Sequence, residues 1–346
     1  MDGMIKAICK EAELRQYYIN ENIATSYFGG GTPSLSAITD LLLMINTLKK
    51  NFLVEEDAEV TVEANPDDIN IEKIDGWKAA GINRLSIGVQ SFFDEDLQWM
   101  NRAHNAQQAL QSIQLARQSG FQNITIDLIY GTPTLTDKHW QQNVERAISL
   151  DIPHLSCYAL TVEPKTALEK MIMEQKKENV DIEKQSRQFE MLMQWMHNAG
   201  YEHYEISNFA KHGHRSRHNS SYWLGKNYIG LGPSAHSFNG CSRQWNISNN
   251  ALYINNIEEN IVPCETEYLT TAQRLNEYIM TSLRTAEGLS LQYVAENWGE
   301  ISGEEILGDA TFFLGNGLMM LTSSHLVLTD KGKLLADGIT AKLFRE

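Results

Sequence analysis

Short β-favouring runs alternate with helical patterns along the first 206 residues, and this alternation is the feature that most restricts the fold. Each run is rich in β-branched or aromatic residues, and longer segments with apolar residues at helical spacing separate the runs. The six runs are TSYF (25–28), EVTVEA (59–64), RLSIGV (84–89), NITIDLI (123–129), HLSCYAL (154–160) and YEHYEI (201–206). This order predicts βαβ units and a parallel sheet.

The junctions that follow these runs share a polar or Gly/Pro-rich character. They read GGGTPS, EANPDD, QSFFDED, YGTPTLTD, TVEPKT and SNFAKHG. The carboxyl ends of parallel strands meet at one rim of a sheet, and ligands of α/β proteins bind at that rim. We therefore predict that a ligand site lies at these junctions.

The pattern changes after residue 207, which predicts three segments. Residues 1–206 form the α/β segment, and residues 207–266 are rich in histidine, aromatic residues and glycine. Residues 267–346 are mostly helical, with two helices, a short hairpin and a final helix, an order typical of a small winged-helix-like module. A helical cap on the sheet is the alternative interpretation of this last segment.

Charge and composition exclude several function classes. The 346 residues carry a formal net charge of −15, which argues against a general nucleic-acid binder because such proteins present a basic face. No run of eighteen apolar residues occurs, and the first residues lack the apolar region of a signal peptide, so we expect a cytoplasmic protein. The four cysteines stand far apart, show no zinc or iron–sulfur motif, and are most simply core residues.

Several polar residues at strand ends are candidate ligand contacts. The triple glycine at 29–31 either lets a ligand approach the backbone closely or forms a tight turn. Asp127 lies in an otherwise apolar strand, so it either contacts a ligand or is satisfied by neighbouring strands. Glu63 and Gln90 end two other strands, and Arg102 is a counter-charge for Asp127 or a clamp for a carboxylate.

Three histidines in one short segment raise a second possibility of ligand binding. His212, His214 and His218 lie in KHGHRSRHNSSYW, and imidazole is a common ligand of metals and of haem iron. Arg215 and Arg217 would suit anionic groups such as propionates. The alternative is a solvated basic loop with no ligand.

The junction motifs, taken in order, resemble those of one family. YFGGGTPS, VTVEANPDD, NRLSIGVQSF, IDLIYGTP, HLSCYALTVEP, YEISNFA, SRHNSSYW and YIGLGPSAHS are similar to the motifs of the HemW family of radical S-adenosylmethionine proteins. Members of that family are haem chaperones related to oxygen-independent coproporphyrinogen III oxidases. The resemblance runs from about residue 5 to the C-terminus and implies an open, partial (β/α)6 TIM-like barrel, here without its first strand.

The resemblance also implies which residues bind S-adenosylmethionine and haem. The implied contacts of S-adenosylmethionine are Gly30, Gly31 and Thr32 at the methionine moiety, Glu63 and Gln90 at amino and ribose groups, Arg102 at the carboxylate, Asp127 at the ribose, and Ala159 and Leu160 at the adenine. His218, in the HNxxYW segment, is the implied haem contact.

One departure from the family pattern concerns its metal centre. Family members begin with a strand and a CxxxCxxC motif, whose thiolates hold a four-iron four-sulfur cluster that chelates S-adenosylmethionine. Residues 1–20 look like the helix after that motif, and Cys9 alone cannot replace three ligands. We expect no cluster, weakened cofactor affinity, and an unprotected edge at the TSYF strand. Truncation of the recorded sequence is the favoured explanation, and a naturally cluster-less form is the alternative.

The expected function follows from the resemblance. It is a haem-binding, chaperone-like member of the radical S-adenosylmethionine superfamily, related to porphyrin metabolism, without catalytic turnover in this chain. The expected partners are haem or porphyrin and haem-acceptor proteins, with no nucleic acid and with weak membrane-surface association left open. The alternatives are an oxygen-independent coproporphyrinogen III oxidase that uses S-adenosylmethionine and the cluster, and a scaffold that binds neither ligand.

Overall fold

A seven-stranded sheet forms the frame of the N-terminal part of the chain in the computed structural model, which describes residues 2–346. The strand order is β1-β2-β3-β4-β5-β7-β6, and β1 to β5 pair in parallel. The strands are β1 (Ile23–Phe28), β2 (Val54–Ala64), β3 (Arg84–Gln90), β4 (Asn123–Tyr130), β5 (His154–Ala159), β6 (Glu202–Glu205) and β7 (Asn208–Ala210). The sheet curls into a half-barrel, as predicted.

Within the described residues, one α-helix precedes β1 and seven lie between the strands from β1 to β6. They are α1 (Asp2–Leu14), α2 (Ile38–Asn51), α3 (Ile71–Ala80), α4 (Asp94–Trp99), α5 (Ala106–Gln118), α6 (Asp137–Ser149), α7 (Ala167–Met173) and α8 (Ile182–Asn198). In α6, Trp140, Val144 and Ala147 recur at helical spacing and are fully buried. They join the apolar residues of β2 to β5 in one core, which stabilises the sheet through burial of apolar area.

The last two strands of the sheet differ from the predicted arrangement. The predicted sixth parallel strand, 201–206, corresponds to β6, but β6 does not lie beside β5. Instead β7 pairs antiparallel with both, and its register places Ser156 opposite Asn208. Only two residues connect β6 to β7, and such a short connection joins antiparallel neighbours. The sequence analysis missed β7 because three residues give no alternation to detect.

Strand β1 lies at the edge of the sheet. It pairs with β2 on one side, and no strand within residues 2–346 pairs with its other side. All six of its residues are partly exposed, in contrast to the buried strands β3 and β4. The TSYF strand thus occupies an edge position within the described sheet, and that it is unprotected stays a prediction.

Residues 211–268 form a short helix, a second sheet and a further helix. The elements are α9 (Arg217–Trp223), β8 (His236–Phe238), β9 (Ser242–Asn246), α10 (Asn250–Glu258) and β10 (Cys264–Tyr268). The three strands pair antiparallel, with β9 in the centre. Helix α10 packs against α1 through Tyr253 and Ile257, which contact Ala7.

The C-terminal residues form a module with its own apolar core. Its elements are α11 (Thr271–Leu283), β11 (Leu289–Ser290), α12 (Leu291–Trp298), α13 (Glu300–Gly315), β12 (Met319–Thr322), β13 (His325–Leu328), α14 (Asp330–Lys333) and α15 (Ala336–Lys342). Strands β11, β13 and β12 form a small antiparallel sheet. Two helices precede the β12–β13 hairpin as predicted, but α11 and β11 come before them, and two short helices follow the hairpin where one was predicted. The boundaries after residues 206 and 266 stay predictions. None of the described helices combines the length and the apolar character needed to cross a membrane.

A buried carboxylate connects α1 to the second sheet. Glu11 is fully buried, and its oxygens accept hydrogen bonds from Arg15 Nη1 (3.1 Å), the Gly232 amide (2.8 Å), Asn246 Nδ2 (2.8 Å) and the Tyr253 hydroxyl (2.5 Å). A buried charge is tolerated only when it is paired and hydrogen-bonded in this way.

We predict that Glu11→Ala lowers the free energy of unfolding by about 3–5 kcal/mol, because the substitution leaves the buried Arg15 guanidinium without its counter-charge and the Gly232 amide and Tyr253 hydroxyl without their acceptor. Urea unfolding followed by circular dichroism measures the change. The matched control is Glu13→Ala on the same helix, whose side chain is half exposed in a surface ion pair with Lys50; it should cost no more than about 1 kcal/mol. Equal losses in the two variants would contradict this account of α1.

Candidate functional site at the strand ends

The glycine-rich loop after β1 is held by the carboxylate of Glu63. The Gly30 amide donates to Oε2 (3.2 Å), and the Tyr27 hydroxyl donates to Oε1 (2.7 Å). Gly30 and Gly31 have φ angles of +71° and +64°, a left-handed conformation that favours glycine. Thr32 precedes a short 3₁₀ helix, and its side chain makes no capping hydrogen bond. Of the two interpretations of the triple glycine, the structure shows a tight turn that also exposes backbone at the rim.

Gln90 ends β3 in a conformation that is rare for a residue with a side chain. Its φ is +64°, it is buried, and the register between β3 and β4 is interrupted beside it. Its amide lies over Gly88, where a Cβ atom would come within 2.9 Å of Nε2. Such strain costs about 1–3 kcal/mol and persists where the surrounding structure holds it, often at functional sites.

Asp127 lies in the hollow of the half-barrel, near the guanidinium of Arg102. Burial and then the charge of Glu63 raise its pKa to about 7, while Ser156, Arg84 and Arg102 favour the charged form. Burial lowers the pKa of Arg102, and Asp127 opposes that effect. Within residues 2–346, Arg102 makes no ion pair, so its guanidinium is available to a carboxylate.

The remaining predicted contacts end β5. Ala159 pairs with Tyr130 at the end of β4, and the Leu160 amide donates to the Tyr130 carbonyl (2.8 Å). The ends of β1 to β5 thus carry, in spatial order, Gly30, Gly31, Thr32, Glu63, Gln90, Asp127, Ala159 and Leu160, with Arg102 beside Asp127. The predicted residues lie along one rim; their individual roles stay predictions.

His218 lies in α9 against the inner face of β1. Its Nδ1 is hydrogen-bonded to Thr25 Oγ1 (3.0 Å), its ring stacks on Tyr27 (4.7 Å between centroids, 16° between planes), and the Tyr222 ring meets it edge-on (5.0 Å). Burial lowers the pKa of His218 to about 4; the Glu59 carboxylate opposes this shift and Arg84 adds to it. The imidazole is therefore neutral near pH 7.

A groove of about 910 Å³ follows the free edge of β1 and reaches both the β1 end of the rim and His218. Apolar residues of α1 and α2 form one wall, and Tyr222, Tyr228 and neighbouring residues form the other. Gly30, Thr32, Glu63 and His218 line this groove, whereas Gly31, Gln90, Arg102, Asp127, Ala159 and Leu160 do not. The groove thus joins the β1 end of the rim to the histidine.

The other charged residues of the histidine segment are engaged elsewhere or exposed. Arg215 pairs with Glu202 and Glu287, and Arg217 pairs with Glu55 and Asp57. These arginines are therefore not free for propionates, contrary to the sequence-based interpretation.

His212 and His214 are exposed. The solvated-loop interpretation thus fits these two histidines, and His218 alone of the three lines the groove.

Three residues around His218 escaped the sequence analysis. Thr25 and Tyr27 position its ring, and Glu59 accepts hydrogen bonds from the amides of Arg217 (3.2 Å) and His218 (3.0 Å) at the start of α9. The alternation of β1 places Thr25 and Tyr27 on one face, and this pattern could have identified them as a pair. Nothing in the sequence indicates that Glu59 contacts α9, 158 residues later in the chain.

No metal centre is assembled within the described part of the chain. No group of three or more histidine, cysteine, aspartate or glutamate side chains there could hold a metal ion. Cys9, Cys157, Cys241 and Cys264 are free and separate, with Cys157 buried and Cys241 exposed. The thiolates of residues 2–346 therefore do not fit an iron–sulfur cluster.

Comparison with known proteins identifies the family. The sequence is 36% identical over 323 residues to the protein named Heme chaperone HemW from Bacillus subtilis, covering 92% of this chain and 84% of that one. It is 32% identical over 344 residues to Heme chaperone HemW from Mycobacterium tuberculosis, covering 99% of this chain and 86% of that one. The chain belongs to the HemW family.

Two family profiles match separate parts of the chain, and a solved structure shares its fold. The profile of the Radical SAM superfamily matches residues 11–147, and the profile of the HemN C-terminal domain matches residues 269–335. The structure of coproporphyrinogen III oxidase (HemN) from Escherichia coli superposes with a TM-score of 0.84 at 22% identity, over 99% of this chain and 83% of that one. This likeness shows that the fold is shared.

We predict that Asp127→Asn stabilises the protein at pH 8 relative to the natural chain, with no gain near pH 4. The pKa of about 7 in the folded state lies above the ordinary 3.8, so folding favours the protonated form. The contribution of Asp127 to stability is therefore complete below pH 4 and is lost as the pH rises through 7. Urea unfolding of both proteins between pH 4 and 8 measures the difference, and a difference that does not change with pH would show that the pKa is not raised.

Proposed function

We propose that this member of the HemW family binds haem beside His218, binds S-adenosylmethionine at the rim of strand ends, and delivers haem to acceptor proteins. Family membership and the names of the relatives as haem chaperones support the first and last parts. The observation that carries the proposal is His218 in the wall of the groove, neutral and fixed by two side chains of β1.

The chemistry of the rim fits S-adenosylmethionine. This ligand carries an ammonium group, a carboxylate and ribose hydroxyls. The carboxylates of Glu63 and Asp127 would accept from the ammonium and the hydroxyls, and the unpaired guanidinium of Arg102 would hold the carboxylate. Gln90 would bind a further polar group, while backbone at Gly30, Gly31 and Thr32 would follow the methionine and Ala159 and Leu160 the adenine.

The surroundings of His218 fit an iron-bound planar ligand. When Nδ1 donates to Thr25 Oγ1, the Nε2 lone pair is free, and no described residue is hydrogen-bonded to it. A partner that fixes the second ring nitrogen orients a histidine ligand for its metal. The apolar and aromatic walls of the groove would contact the porphyrin faces, and Lys226 near its mouth would pair with a carboxylate.

The radical S-adenosylmethionine superfamily implies a four-iron four-sulfur cluster, which in that superfamily supplies the electron for cofactor cleavage. Residues 2–346 do not assemble its thiolates, and we infer weak cofactor binding by this chain. We also infer a cytoplasmic location, because four separate free thiols suit a reducing compartment. The coproporphyrinogen III oxidase reaction stays the alternative.

We predict that haem binds the purified chain with a saturable change in the Soret band, and that His218→Ala weakens the affinity at least about tenfold, which corresponds to 1.4 kcal/mol. Thr25→Val should weaken it less, through loss of the partner of Nδ1. The control His212→Ala removes an exposed histidine of the same segment and should bind as the natural chain does.

Two outcomes would overturn the proposal. One is the absence of a saturable Soret change, and the other is a band that His218→Ala and His212→Ala leave equally unchanged. Production of 5′-deoxyadenosine by the anaerobic, iron- and sulfide-treated chain would instead favour the oxidase alternative.

A further inference from the structure

One side chain touches both proposed ligand sites. The Tyr27 hydroxyl donates to Glu63 Oε1 (2.7 Å), and the Tyr27 ring stacks on His218 (4.7 Å between centroids). Glu63 in turn receives the Gly30 amide on its other oxygen. A continuous series of contacts therefore runs from the glycine-rich loop through Glu63 and Tyr27 to the imidazole.

Each end of this series has little freedom of its own. Both oxygens of Glu63 are already engaged by the chain, so a ligand ammonium that approaches this carboxylate must share it with Tyr27 and Gly30. Burial and the Glu63 charge raise the pKa of Tyr27, which keeps its hydroxyl a donor at every physiological pH. At the other end, Thr25, Tyr27 and Tyr222 fix the plane of His218 from three sides.

The strand that carries Tyr27 is suited to movement. Strand β1 has one hydrogen-bonded neighbour, and all six of its residues are partly exposed. It also contains Thr25, so a shift of β1 moves both contacts of His218 together. The fully paired strands β3 and β4 lack this freedom because they are buried between neighbours.

We propose that Tyr27 couples the two sites, so that occupation of the strand-end rim by S-adenosylmethionine strengthens haem binding at His218, and haem strengthens binding at the rim. The inference rests on the proposed function. A ligand ammonium on Glu63 fixes the carboxylate and hence the Tyr27 hydroxyl, and this fixes the ring on which His218 stacks. Ordering by the first ligand lowers the entropic cost of the second, and thermodynamic linkage makes the effect reciprocal.

The first measurement does not need haem. With histidine labelled at Cε1 with ¹³C, the His218 resonance is assigned from its loss in His218→Ala. Addition of S-adenosylmethionine should shift this resonance in the natural chain and leave that of His154, buried at the far end of its strand from the rim, unchanged. Tyr27→Phe keeps the stacking ring but removes the bond to Glu63, and should abolish the shift.

The second measurement compares haem affinity with and without saturating S-adenosylmethionine. The natural chain should bind haem about fivefold or more tightly when the cofactor is present, and Tyr27→Phe should show a ratio near one, whatever its affinity for haem alone. The control Tyr228→Phe removes a hydroxyl in the same groove that does not contact Glu63, and should retain the coupling.

Different results would contradict the coupling by Tyr27 and the proposed haem binding. An unmoved His218 resonance at millimolar S-adenosylmethionine, or a haem affinity that the cofactor does not change, overturns the coupling while haem binding itself still stands. Coupling that survives in Tyr27→Phe also overturns it. Failure of the natural chain to bind haem overturns the proposed function, and the histidine resonance then still decides whether Tyr27 transmits occupation of the rim.

Discussion

Parallel pairing of β1 to β5 is the constraint on which the site depends. It brings five strand ends to one rim. Residues between positions 30 and 160 therefore lie close together because of the backbone pairing alone, without long-range side-chain contacts. The same pairing places Glu63, Ser86 and Thr125 at one level of the sheet and Asp127 one step further along the inner face. Two carboxylates and two guanidiniums therefore share one hollow. Burial and then the Glu63 charge raise the pKa of Asp127, and the two guanidiniums oppose that rise.

The edge position of β1 gives the site its asymmetry. One end of the rim, at β4 and β5, is enclosed by buried strands and by the antiparallel β7, whereas the β1 end opens into the groove that contains His218. Glu63 and Tyr27 stand at this open end. A ligand at the rim and a ligand in the groove would thus meet at the part of the sheet that is least constrained by its neighbours.

Features of this arrangement that depend on contiguous residues could be predicted from the sequence, and features that depend on residues far apart in the chain could not. Strand–helix alternation predicted the parallel sheet. The family resemblance carried by the junction motifs implied the half-barrel, the edge strand and the rim residues. Both signals lie in contiguous residues. The short strand β7 and the order of the last strands were missed, since a hairpin of three- and four-residue strands has no usable periodicity.

Contacts between segments were also beyond the sequence. Arg215 and Arg217 looked suited to anions, yet acidic residues from distant positions already neutralise them. The position of His218 against Thr25 and Tyr27 depends on Glu59 of β2, which accepts a hydrogen bond from the His218 amide at the start of α9. These two residues are about 160 positions apart in the sequence. Motif resemblance indicated His218, and the structure supplied the reason why its ring faces the groove.

Isothermal titration calorimetry of the chain with S-adenosylhomocysteine, which keeps the amino-acid and adenosine groups, measures whether the rim holds S-adenosylmethionine as proposed. The account predicts saturable binding that Glu63→Gln and Asp127→Asn each weaken, while Glu72→Gln, on the exposed start of α3, leaves it unchanged. Absence of binding at millimolar ligand, or equal binding by all three variants, would contradict it.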